Sequence, residues 1–187
     1  MARTVDAIAG MVDEARQNDV EEIAAVGTAG LRIAPNRDDL IEAVRHVRGV
    51  EVEVIPGVTA ALAAAARVGA PLADDWASLS LSDLNLPWET VARRLSALAA
   101  SGIALALYNP RSRTRPLERA LEVLREHRAP DTPVIVATDV ARPDESIVAT
   151  TLGALDPQTV TMRSLLLVAG DTSRWAGRWL IASRAAA

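Results

Sequence analysis

Residues 51–66, EVEVIPGVTAALAAAA, run from a strand through a proline–glycine turn into a helix, and their reading decides the fold. Glu51 to Ile55 alternates charged and apolar residues, and valine and isoleucine suit a pleated surface, so this piece reads as a strand. Pro56 and Gly57 close it. Val58 to Val68 is rich in alanine, the best helix former, and Gly69 and Pro71 stop the helix. Such a junction leaves the first N–H groups of the helix, near Val58, Thr59 and Ala60, free above the end of the strand, an edge that suits a carboxylate or phosphate. Strand–turn–helix junctions occur throughout α/β proteins, so this stretch alone leaves core filling and ligand binding both open.

Outward from it, apolar periodicity continues the same architecture. Val5, Ile8, Met11, Val12 and Ala15 recur at helical spacing over residues 3–17. Residues 22–26 read as a short strand, and residues 36–47 as a helix through Leu40, Ile41 and Val44, with Asn36 as its cap and Gly49 as its stop. On the C-terminal side, residues 77–81 read as a strand, Pro87 opens a helix bearing Val91, Leu95 and Leu98, and GIALAL at 102–107 reads as a central strand buried on both faces. Pro116 opens a helix with Leu117, Ala120, Leu121 and Leu124 inward. Strands follow over 133–137, 146–151 and 163–169, close enough in sequence to pair antiparallel, with 155–159 as a connection. From Asp171 onward the expectation is a polar turn and a weak, fraying helix. The breakers GAPLAD, residues 69–74, mark the boundary between two regions.

Composition narrows the chemistry. With 187 residues, half of them apolar, and a mean hydropathy of +0.15, the chain is able to bury a core. A net charge of −4 with mixed signs speaks against a nucleic-acid binder, and no apolar run approaches the roughly 18 residues of a membrane span. The expectation is a cytoplasmic protein with no nucleic-acid or membrane partner. Absence of cysteine excludes disulfides and thiolate chemistry, and His46 and His127 stand apart as surface residues. All 20 basic residues are arginine, which accords with a compositional bias and weakens any argument from arginine abundance.

Four motifs remain. PGVTA is the turn already described. GTAG at 27–30 also follows a strand but lacks the spacing and lysine of a phosphate loop. SLSDLNLPWE at 80–89 reads as a cap, Ser82 or Asp83 satisfying N–H groups and Trp88 packing as a lid. ALYNPRSRTRP at 106–116 ends a central strand in Tyr108 and Asn109 and then presents Arg111, Arg113 and Arg115, which suit carboxylates through paired donors or pair with Glu118 or Glu122 on a solvated loop.

In order, VEVIPGVTAALAAAARVGAPL, SLSDLNLPWE, ALYNPRSRTRP and ARPDESIVATTLGAL resemble the tetrapyrrole methyltransferases of cobalamin biosynthesis, and among them the precorrin-3B C17-methyltransferases, over about residues 50–173. The resemblance implies S-adenosylmethionine held near Thr59 and Ala60 and lined by Leu107, Tyr108 and Asn109, a precorrin substrate whose carboxylates meet Arg111, Arg113 and Arg115, no metal, and a fold able to pair two copies. The glycine–proline and Gly-Asp-Pro loops with which that family begins are not present. Residues 4–57 instead resemble a fragment of the exopolyphosphatase and guanosine-pentaphosphate phosphatase family, through Gly27 to Arg32, Asn36, Arg37 and Gly57, without that family's acidic run or glycine loops. The implied fold is α/β: an incomplete N-terminal α/β layer over residues 1–70, a methylase-like C-terminal α/β domain with a mixed sheet over 71–173, and a tail over 174–187. The implied function is methyl transfer with activity reduced or absent for want of the N-terminal loops. Its alternatives are a non-catalytic binding or scaffold domain of the same fold and, remotely, a polyphosphate hydrolase.

Overall fold

The computed structural model describes residues 2–23, 25–27, 34–54, 57–84, 86–111 and 116–183. The chain divides into two compact units, Met1–Val58 and Thr59–Ala187. The division precedes the GAPLAD breakers because the alanine helix packs on the sheet that follows it.

In the first unit α1 (Ala2–Gln17), β1 (Ala25–Gly27), α2 (Arg37–Arg48) and β2 (Val52–Val54) alternate, and β1 pairs with β2 in parallel, Ala25 opposite Val52. Val12, Val44 and Val50 form its small core, with Val5, Ile8, Ile23, Ala25 and Leu40 around them. Asn36 precedes α2 but its side chain makes no capping bond; only its carbonyl accepts, from Leu40 N–H at 3.2 Å. At the other end Gly49 takes the left-handed conformation (φ +67°), and its N–H reaches the Arg45 carbonyl at 2.7 Å.

The second unit begins with α3 (Ala60–Val68) and β3 (Gly69–Ala70), then β4 (Trp76–Ser80), α4 (Trp88–Ala100), β5 (Ala104–Tyr108), α5 (Pro116–Arg125), β6 (Pro133–Thr138) and β7 (Ser146–Thr151). A 3-10 turn, Pro157–Thr159, leads into β8 (Ser164–Val168) and the hairpin of β9 (Ser173–Ala176) and β10 (Trp179–Ala182). Its main sheet has the order β4-β5-β8-β6-β7 and is mixed. Crossover through α4 makes β4 and β5 parallel, whereas β8 runs antiparallel to both of its neighbours, β5 and β6, and β7 antiparallel to β6.

Both faces of this sheet are covered, and the pleat sorts side chains by size. Leu105, Leu107, Val134, Val136, Leu166 and Val168 face α4 and α5, where Val91, Leu95, Leu117, Leu121 and Leu124 meet them. Ala104, Ala106, Ile135, Ala137, Leu165 and Leu167 form the other face, against Ala61, Ala64, Ala65 and Val68 of α3 and Leu180 of β10. Alanine on both sides lets α3 lie close to the strands. Each fully buried leucine contributes roughly 1.5–3 kcal/mol of transfer free energy, and the leucine face supplies most of them.

The C-terminal segment differs from the expected turn and fraying helix. SRWAGRWLIA forms a hairpin about a two-residue loop, Gly177 and Arg178, with Ala176 opposite Trp179 and Leu180 opposite Trp175. Tryptophan, leucine and isoleucine suit a pleated, half-buried surface better than a polar helix end, and fully buried Leu180 anchors the hairpin to the alanine face. The parallel neighbour of β10 is β3, whose Gly69 sits at φ +132° with the Leu180 carbonyl 2.5 Å from the place a Cβ would occupy. Only glycine fits there.

A buried guanidinium ties the start of β5 to the turn before β9. Arg128, with its side chain 3% exposed, donates to the carbonyls of Gly102 at 3.2 Å and Ile103 at 2.7 Å and to Asp171 Oδ1 at 2.8 Å. Replacement Arg128→Met keeps the apolar stem and leaves the Ile103 carbonyl without its guanidinium donor, while the Gly102 carbonyl still accepts from Asp171 N–H at 2.8 Å, so urea unfolding is expected to show a loss of about 2 kcal/mol with an unchanged m-value. A loss within 0.5 kcal/mol or so of zero, the range of ordinary surface substitutions, contradicts this role.

Candidate functional site

The C-terminal ends of β4 and β5 meet the start of α3 at one edge of the sheet, where the apolar run of β5 gives way to polar groups. Thr59 caps α3 in extended conformation (ψ 152°), its Oγ1 accepting from Leu62 N–H at 3.3 Å. Tyr108 ends β5. Its carbonyl accepts from Leu81 N–H at 2.9 Å, and its hydroxyl accepts from Ala61 N–H at 3.1 Å. Asn109 follows at φ +53°, a left-handed conformation that asparagine tolerates, and donates from Nδ2 to Ser80 Oγ at 2.9 Å. The same Ser80 Oγ accepts from Ser82 N–H at 3.3 Å, and Ser82 Oγ from Leu84 N–H at 3.4 Å. Parallel pairing, with Ser80 opposite Tyr108, therefore brings the start of SLSDLNLPWE beside the end of ALYNP, and the Tyr108–Ala61 bond adds Thr59 and Ala60 at the start of α3.

A cavity of about 290 Å³ opens beside the first residue of α3, lined by Ala60, Ala137, Asp139, Val140, Arg142, Arg163 and Leu165. Asp139, at φ +50°, has a buried side chain whose Oδ2 lies 2.9 Å from Arg163 Nη2. Next to it Thr138 Oγ1 and Ser164 Oγ are 2.7 Å apart, a hydrogen bond across paired strands. The loop after Asp139 is tied to α3: Arg67 Nε donates to Glu145 Oε1 at 2.8 Å, and Glu145 Oε2 accepts from Ala141 N–H at 2.6 Å. The hydrogen bond from Arg67, with the one from Ala141 N–H, holds the Glu145 carboxyl below the usual carboxylate range, and the same pairing raises Arg67.

Of the residues expected at the site, Thr59, Ala60 and Tyr108 come together. Leu107 does not present its side chain there; it is buried on the opposite face among the residues that meet α4 and α5. Asn109 spends its amide on Ser80. Arg111 is half-buried and tied to the 3-10 turn, donating to the Pro157 carbonyl at 3.0 Å and to Gln158 Oε1 at 3.5 Å, and it pairs with neither Glu118 nor Glu122. Arg113 and Arg115 lie outside the described residues, as do residues 28–33 of the GTAG turn. Neither Ser82 nor Asp83 caps α4; Pro87 holds that position without a side-chain bond. Trp88 is half-buried on the core, and the Arg119 guanidinium lies 4.2 Å from its ring centroid. His46 sits 3.1 Å from Glu42 and His127 2.7 Å from Ser96, both exposed. Among the described residues no group of three acidic or imidazole side chains is placed to hold a metal, and no helix is long and apolar enough to cross a membrane.

Asp139, Arg142 and Arg163 went unnamed in the sequence. The run TDVARPDE, in which an aspartate directly follows a strand and an arginine precedes a Pro-Asp turn, was a signal for Asp139 and Arg142 but not for Arg163.

Comparison with known proteins matches residues 37–156 to the family described as Tetrapyrrole (Corrin/Porphyrin) Methylases. The cobalamin biosynthesis protein CobIJ of Mycobacterium tuberculosis is 42% identical over 142 residues, 73% of this chain and 28% of that protein. A precorrin-3B C(17)-methyltransferase of Sinorhizobium is 43% identical over 129 residues, 68% of this chain and 51% of that protein. Among solved structures, that of the methyltransferase CobJ superposes with a TM-score of 0.69 at 36% identity, covering 81% of this chain and 64% of that one. The chain thus spans about half the length of the Sinorhizobium relative and under a third of the mycobacterial one.

The Arg67–Glu145 tether makes the loop at the cavity pH-sensitive. Because the folded pKa of Glu145 is lowered, its contribution is full above the unfolded value near pH ~4.3 and is lost as pH falls through the lowered folded value. Hydrogen exchange at the Ala141 amide, corrected for intrinsic rate, is expected to accelerate as pH falls below the usual glutamate value of about 4.3, and Glu145→Gln is expected to show the faster exchange already at neutral pH. Equal protection in both proteins at neutral pH contradicts the tether.

Proposed function

Since the chain belongs to the tetrapyrrole (corrin/porphyrin) methylase family, we propose that it binds S-adenosylmethionine at the start of α3 and serves methyl transfer to a precorrin-class tetrapyrrole in cobalamin biosynthesis. The observation that carries the reading is the cavity between Ala60 and Asp139, beside the helix start that Thr59 caps and the Tyr108 hydroxyl binds. Carboxyl ends of parallel strands are ordinary ligand positions in open sheets. The names of the relatives, a precorrin-3B C(17)-methyltransferase and a cobalamin biosynthesis protein, support the substrate class.

The donor set fits such a cofactor. Ala60, Ala137, Val140 and Leu165 offer apolar walls, and Asp139 with Arg142 and Arg163 offers both signs of charge to a zwitterionic amino acid end. At about 290 Å³ the cavity lies at the lower limit of the roughly 300–1,000 Å³ of ligand pockets, so it takes one part of an extended cofactor. When bound, S-adenosylmethionine supplies a methyl group on a sulfonium, whose transfer requires alignment of donor and acceptor above all. The chain's own residues therefore act by holding and orienting. Carboxylates of the substrate fall to Arg111, Arg113 and Arg115, of which Arg111 also donates to the Pro157 carbonyl.

Calorimetric titration with S-adenosylhomocysteine is expected to give micromolar binding, weakened about tenfold in Asp139→Asn by loss of a charge-assisted pair. No binding at millimolar ligand overturns the cofactor reading and favours a non-catalytic binding or scaffold role for the same fold. For the substrate, Arg113→Ala is expected to weaken tetrapyrrole affinity and flatten its salt dependence; affinity unchanged at several salt concentrations removes that assignment.

A further inference from the structure

We propose that Tyr108 is a positioning residue, whose hydroxyl fixes the first turn of α3 against the end of β5 and so sets the shape of the cofactor edge. The inference rests on the cofactor reading and changes what the tyrosine does within it. A helix start leaves its first N–H groups without partners in the helix. Two of these are now accounted for in α3: Leu62 N–H by Thr59 Oγ1 at 3.3 Å, and Ala61 N–H by the Tyr108 hydroxyl at 3.1 Å. The second of these bonds spans 47 residues of sequence and joins the helix to the central strand.

The backbone around Tyr108 explains why this side chain is suited to the task. Leu107 points to the leucine face, so the pleat sends Tyr108 to the alanine face, where α3 lies. The alanine face is shallow, and an aromatic ring is long enough to carry an oxygen across it to the helix start. Meanwhile the Tyr108 carbonyl continues the parallel ladder to Leu81 N–H at 2.9 Å, and Asn109 Nδ2 holds Ser80. The Tyr108–Asn109 pair thus fastens both α3 and the loop after β4 to the end of β5. Its polar side-chain atoms are directed to the protein, which leaves backbone atoms and the cavity walls to meet the cofactor.

The test compares wild type with Tyr108→Phe, at a temperature where tryptophan fluorescence shows both proteins folded. Two readouts separate positioning from mere stability: hydrogen exchange resolved along α3 and α5, and calorimetric affinity for S-adenosylhomocysteine. The expected result is faster exchange confined to Ala61, Leu62 and Ala63, α5 unchanged, and affinity weakened about tenfold, the scale of one unsatisfied donor. Uniform acceleration in both helices with unchanged affinity, or no change in either readout, overturns the proposal. Wild-type exchange gives an answer that does not depend on the variant folding: Ala61 N–H is expected to exchange more slowly than Ala60 N–H, and equal rates overturn the bond. Wild-type protein that binds nothing at millimolar ligand defeats the cofactor reading, while the exchange pattern still decides whether Tyr108 fixes the turn.

Discussion

The burial of β5 between two partner strands and two packed faces is the constraint on which the rest of the second unit depends. Ala104 to Leu107 are all buried, so the strand carries no polar side chain until it leaves the core. Its hydrogen bonds are taken by β4 on one side and β8 on the other. The first residue with a polar side chain is Tyr108, half-buried at the rim, and there the strand makes its connections to α3 and to the loop after β4. A site at this edge is a consequence of apolarity elsewhere. The same logic places Asp139 just past the end of β6, another strand whose inner residues are buried.

Sorting by size gives the two faces different capacities. The leucine face, with α4 and α5, is thick and holds most of the large buried side chains, so it contributes most of the stabilising burial. The alanine face is thin, and α3 approaches it through Ala61, Ala64 and Ala65. A short helix of small residues has little apolar surface with which to fix its own position. Its register against the sheet therefore depends on polar ties: Tyr108 at the first turn and Arg67 to Glu145 at the last. Ligand binding next to an element held in this way is sensitive to a few hydrogen bonds.

Legibility in the sequence followed the strength of the local signal. The apolar run of β5, the periodic faces of α4 and α5, and the close-spaced strands from β6 to β8 were readable because burial on one or two faces imposes a period on the residues. The C-terminal hairpin was misread because alternation in SRWAGRWLIA is broken by arginine and glycine, and its partner strand β3 is two residues long and more than a hundred residues away. Asn36 had the composition of a cap without the geometry. Leu107 belonged to the right strand end yet faced the wrong side, since motif position specifies the backbone and the pleat specifies the side chain. Asp139 and Arg163 were illegible as a pair, because only the antiparallel pairing of β6 with β8 brings them together.

That distinction bears on how family motifs are carried onto a new chain. Residues of ALYNP coincide with the site in space, but Leu107 turns to the core, Tyr108 reaches α3 and Asn109 reaches Ser80. A motif can therefore lie at a candidate site by fastening the elements around it rather than by presenting its side chains to the cavity. Arg111 extends the same point to the loop, since its guanidinium is tied to the Pro157 carbonyl. An arginine already coordinated by a backbone carbonyl gives up an interaction before it meets a substrate carboxylate, and the desolvation of both groups comes on top. The geometry of Arg111 thus accords with bracing the turn at Pro157–Thr159.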